Sequence, residues 1–124
     1  MDELKTEIFN SLVKILKPYE KKLKVRTDGK SKYELSGKKK VVVWKKEIDG
    51  MFFTSVIIQK NFVGFYYFPI YTHAHEFKDL PVNLKKCLKG KSCFHIKKPD
   101  KELLTSIKQL IKKGSEIYKK AGWV

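Results

Sequence analysis

Apolar residues at Leu4, Ile8, Phe9, Leu12, Val13, Ile15 and Leu16 recur every three or four positions, the spacing that gathers them on one stripe of an α-helix. The pattern predicts a helix from Asp2 to about Leu16. Asp2, Glu3 and Glu7 lie toward the end where the helix dipole favours negative charge, and Pro18 stops or bends the helix. The same periodicity returns late in the chain. There Leu103, Leu104, Ile107, Leu110, Ile111, Ile117 and Tyr118 predict a long helix capped by Asp100.

Between the helices the pattern shortens to β-like runs separated by turn signals. Residues 23–27 and 32–35 flank Asp28-Gly29, a dipeptide that accepts the backbone of a tight hairpin. Residues 41–48 are β-branched and aromatic, Asp49-Gly50 gives a second hairpin signal, and residues 51–59 follow with strong strand character. This second pairing is the clearest hairpin signal in the chain. Residues 62–70 are apolar on both faces, which predicts a central strand covered by a helix on one side and ended by Pro69. Residues 71–81 read as a long connection and 82–88 as a short helix stopped by Gly90. Residues 92–97 read as a last short strand leaving at Lys98-Pro99. These elements predict an α+β fold in one domain over residues 1–124: an antiparallel sheet of about six strands, with N- and C-terminal helices packed on one face.

Composition fits that picture, because 42% hydrophobic and 13% aromatic residues supply a core for a chain of 124. No apolar run approaches the roughly 20 residues that cross a bilayer, and the first residues are acidic rather than basic-then-apolar. The expectation is a cytoplasmic protein with no membrane partner, in which Cys87 and Cys93 stay reduced. A formal net charge of +15 adds long-range attraction to polyanions, so an acidic protein or a nucleic acid is the expected kind of partner. Arg26 is the only arginine. Lysine is a point charge without arginine's two-pronged fork, so this excess favours general electrostatic attraction over recognition of particular bases.

The aromatic segment FVGFYYFPIYTH, the run LPVNLKKCLKGKSCFHIKK and the closing GSEIYKKAGWV resemble the YdhG-like family of small bacterial domains. The likeness spans nearly the whole chain and is most specific at GKSCFHIKK. It implies a frataxin-like fold, and some members of that family are labelled iron chaperones. An iron role would call for a carboxylate-rich surface, since hard iron ions take oxygen ligands. The acidic edge available is Asp2, Glu3 and Glu7 on a strongly positive chain.

Several groups of residues carry candidate chemistry. His73 and His75, followed by Glu76, would form a metal site if they joined Cys93 and His95, which share a face of a strand. Iron or zinc would be the ion, with Cys87 near enough to contribute. The alternatives are a solvated loop for the histidines and core packing for the cysteines. Cys93 with His95 is the one nucleophile-and-base pair in the chain, but side chains two apart on a strand stand side by side rather than aimed at each other. Gly90-Lys91-Ser92 lacks the upstream glycine of a phosphate loop, although Lys89, Lys91, Lys97 and Lys98 could hold a small anion. Glu47 and Asp49 flank a predicted turn and suit turn chemistry.

The aromatic residues outnumber what one sheet face must bury. If helices cover one face only, some rings look outward among lysines and form an interaction surface. The expectation is therefore a noncatalytic binding protein without a cofactor. Its ligand-contacting residues are Trp44, Tyr66, Tyr71, Lys91 and Lys97, on the open sheet face or the 71–80 loop, and it acts as a monomer or weak homodimer.

Overall fold

Burial of the two predicted helical stripes organises the architecture. A computed structural model describes residues 3–124. Helix α1 (Glu3–Leu16) buries Ile8, Phe9, Leu12 and Leu16, and a 3₁₀ turn at Lys17–Lys21 with Pro18 in its first turn carries the chain away. Asp2, predicted to open this helix, lies outside the described residues. Helix α4 (Lys101–Lys120) starts at Asp100, whose carboxylate accepts the backbone N–H of Glu102 as an N-cap should. It buries Leu103, Ile107, Leu110, Ile111, Gly114 and Tyr118.

The strands are β1 (Lys24–Asp28), β2 (Lys32–Ser36), β3 (Lys40–Val43), β4 (Lys46–Asp49), β5 (Phe52–Ile58), β6 (Val63–Tyr67), β7 (Leu88–Lys89) and β8 (Cys93–Ile96). Six of them form one antiparallel sheet in the order β1-β2-β5-β6-β8-β7. Cross-strand register separates its two faces. Tyr33 lies opposite Val56, Val56 opposite Phe65, and Phe65 opposite Phe94, all of them fully buried. That face meets α1 and α4. The other face carries the row Glu34, Ser55, Tyr66 and Cys93 and has no helix over it. The predicted one-sided layering is therefore what the chain adopts. Short helices α2 (Pro69–Thr72) and α3 (Val82–Cys87) complete the described residues.

The Asp28-Gly29 hairpin forms as expected, but the clearer signal misleads. Residues 41–48 are not one strand, and Asp49-Gly50 does not turn them back onto β5. The chain folds on itself at Trp44-Lys45, so β3 and β4 pair with each other in a separate two-stranded sheet. β2 pairs directly with β5, and the Gly37 N–H donates to the Met51 carbonyl at 2.8 Å, closing the neck of an arm that contains β3 and β4. Gly50 is the joint of that neck. Its φ is +88°, and a Cβ there would overlap the Gly37 carbonyl, so the glycine serves a close backbone approach rather than a hairpin. The arm stays down because Val43 is buried and Val41 and Ile48 pack partly against the core.

Two further expectations change. Residues 71–81 are not a plain connection. Pro69, predicted to end a strand, also occupies the first turn of α2, and a 3₁₀ turn follows at Ala74–Phe77 that buries Phe77. Helix α3 ends at Cys87, and Leu88-Lys89 then pair with β8 through a turn containing Gly90 at φ +72°.

Sheet and helix approach each other closely at the end of β6. The buried Tyr67 hydroxyl donates to the Leu110 carbonyl, and a Cβ at Gly114 would overlap that hydroxyl and sit 3.0 Å from Cγ of Pro69. Alanine normally improves a helix interior by about 1 kcal/mol over glycine, but here the methyl would displace a buried phenol. Gly114→Ala is expected to lower the unfolding free energy by roughly 1–3 kcal/mol, read as a drop in the urea midpoint.

Candidate functional site

The arm's turn is unusual in its residues. A two-residue loop that matches the twist of its strands takes positive φ at its first position or, in the commoner form with Asn-Gly or Asp-Gly, at both. Here the positions are Trp44 (φ 53°) and Lys45 (φ 64°). Side chains with a Cβ resist this conformation by about 1–2 kcal/mol each. The register Val43 opposite Lys46 leaves just these two residues to close the arm. The strain displays an indole: Trp44 is 59% exposed at the tip, next to Val42 at 74%.

Trp44 does not stand alone. Its ring meets Phe68 edge-on at a centroid separation of 6.4 Å and Tyr71 at 6.2 Å. Phe68 and Tyr71 are stacked at 5.3 Å, and Phe52 lies 5.4 Å from Phe68 behind them. Tyr71 is 46% exposed, and the Lys91 ammonium lies 5.8 Å from its ring centroid. Three of the residues expected to contact a ligand, Trp44, Tyr71 and Lys91, thus converge from the arm, α2 and the β7–β8 turn. Lys45 and Lys46 are exposed beside them, and none of these three lysines forms an ion pair among the described residues.

Tyr66 and Lys97 are elsewhere. Tyr66 lies on the open sheet face with its ring over Gly64, 2.7 Å from where a Cβ would be, and its hydroxyl accepts from the Gln59 amide at 3.1 Å. Burial raises its hydroxyl pKa. Lys97 follows Ile96, which pairs with Val63 at the start of β6, whereas Lys91 is near the end of β6, where Tyr67 N–H donates to the Ser92 carbonyl. No anion-holding group of Lys89, Lys91, Lys97 and Lys98 is therefore assembled.

The metal candidates also stand in two places. His73 is half-buried against the C-terminal residues, its ring 5.1 Å from Trp123 and 6.3 Å from Tyr118, with Nδ1 2.8 Å from the Thr72 hydroxyl. Desolvation lowers its pKa, and His75 nearby adds to the effect. His75 pairs with Glu76 at 3.6 Å on the surface. Cys93 and His95 face outward from β8, and the His95 ring lies flat on Phe62 at 3.7 Å. No group of three His, Cys, Asp or Glu side chains able to hold a metal converges among the described residues. Burial also pushes the Cys93 thiol up from its usual pKa, partly offset by its contact with Tyr66, and Cys87 is raised in the same way. Neither environment favours a thiolate.

No protein-family model, curated protein or solved structure matches the chain.

Phe52 and Phe68 are the members of the aromatic cluster that the sequence did not single out as ligand contacts. Their signal was present only as surplus aromatics, because nothing in the residue pattern announces that the arm folds back at Trp44. Two outcomes follow. Lys45→Gly is expected to raise the unfolding free energy by about 0.5–1 kcal/mol. This is the relief of left-handed strain, about 1–2 kcal/mol, less the extra chain entropy glycine loses, and denaturant titration checks it. Cys93 alkylation is expected to be slow at neutral pH and to keep accelerating as pH rises past 9, since the reactive thiolate forms only above the raised pKa; mass spectrometry of a pH series reads it.

Proposed function

We propose that this is a noncatalytic binding protein whose contact surface is the arm tip and the Phe68–Tyr71 shelf beside it, acting on an anionic partner. The observation that carries this reading is Trp44, an exposed indole held in a left-handed turn. Strain of this kind persists only where the surroundings impose it, and it concentrates at sites of contact or switching. A solvated tip with no role would relax with asparagine or glycine. Charge supports the anionic partner: the chain carries +15, and Lys45, Lys46 and Lys91 border the rings without ion-pair partners among the described residues.

The open sheet face serves the same reading less well. Its rings are partly covered, Tyr66 lying over Gly64 and Phe62 stacking on His95, and neither Tyr66 nor Phe62 is among the exposed large hydrophobics. The iron role implied by the YdhG-like resemblance draws no support from the acidic residues, which are few and scattered. No helix among the described residues is long and apolar enough to cross a membrane.

Two-dimensional amide spectra recorded while heparin is added test the surface. Shifts are expected at the Trp44 indole N–H and at residues 42–46, 68–72 and 89–92. Shifts centred instead on Ile57, Tyr66 and His95 would reject the arm in favour of the open face.

A further inference from the structure

Resting on the binding reading above, we infer that the arm-tip surface takes single-stranded nucleic acid, read by base stacking and phosphate attraction without sequence preference. Three observations point there. Trp44 and Tyr71 each leave ring area open to solvent, and a flat aromatic ring is matched by the π-face of any unpaired base. A carboxylate peptide has no such face to offer. The bases of a duplex are stacked on one another and present only their edges, so a protruding indole meets no ring to stack on unless the helix is opened.

The second observation is the kind of positive charge. Phosphate tracking needs only point charges, and the cations here are lysines: Lys45 and Lys46 in the arm, Lys91 over Tyr71, and exposed Lys38, Lys39 and Lys40 leading into β3. The third is the place of Arg26. The single side chain suited to two-pronged reading of a base edge donates instead to the Asp49 carbonyl at 2.7 Å, bracing the neck of the arm. The surface thus combines stacking with unpaired charge and leaves out base-edge recognition.

The test titrates the intact protein with a short oligothymidylate, the same strand in duplex form, heparin and poly-glutamate, following Trp44 emission in a Trp123→Phe background. The oligothymidylate is expected to quench Trp44 saturably and to bind more tightly than its duplex. Its log affinity should fall linearly with log salt, by about 0.7 per phosphate neutralised. Trp44→Ala should weaken it about 5- to 150-fold, the range for one lost stacking contact, while leaving the salt slope unchanged; Lys91→Ala should reduce the slope. Trp44→Phe should retain most of the affinity, and the far-ultraviolet circular dichroism of each variant should match the parent. If heparin, poly-glutamate or duplex quenches Trp44 as well as the single strand does, the nucleic-acid inference falls and the anionic-partner surface stands. If nothing perturbs Trp44, both fall.

Discussion

The approach of Tyr67 to α4 is the constraint on which the rest of the molecule depends. Its hydroxyl is buried, so it must find a partner, and it finds the Leu110 carbonyl only because Gly114 one turn later has no side chain. That contact fixes how closely the last helix lies on the sheet. It also fixes where the chain goes next, since Tyr67 is the final residue of β6 and Pro69, two residues on, packs near the same glycine. Phe68 and Tyr71 are consequently turned out together at the sheet's end. A second phenol secures the arrangement: Tyr118 donates to the Phe52 carbonyl at 2.7 Å and lies 5.4 Å from Phe53.

The frame was legible where apolar spacing was long and regular. The seven apolar positions of the first helix and the Asp100 cap of the last needed no tertiary information, and strands β5 and β6 declared themselves by β-branched and aromatic content. What stayed hidden was decided by tertiary contacts. Trp44-Lys45 contains none of the residues that advertise a hairpin, because its conformation is imposed by Val43 below and by the pairing of β2 with β5, which leaves residues 37–51 to close on themselves. Asp49-Gly50 looked like a turn because glycine is needed there, though for backbone approach at the neck. The two-residue β7 is too short to show any period.

For the candidate site, the residue types were readable and their grouping was not. Aromatic surplus and lysine excess named Trp44, Tyr71 and Lys91, which the fold brings together. They equally named Tyr66 and Lys97, which it keeps apart. Histidine and cysteine spacing could not reveal that His73 packs against Trp123 while His95 lies on Phe62.

The margins of the six-stranded sheet have a consequence of their own. β1 turns Lys24, Arg26 and Asp28 outward and is interrupted by a bulge between Val25 and Thr27, while β7 ends after two residues at Gly90. Unpaired strand rims of this kind, charged, irregular or cut short, offer a poor template for another chain's backbone. Backbone pairing of another chain onto either rim is therefore discouraged, and whatever meets this sheet is directed to its faces.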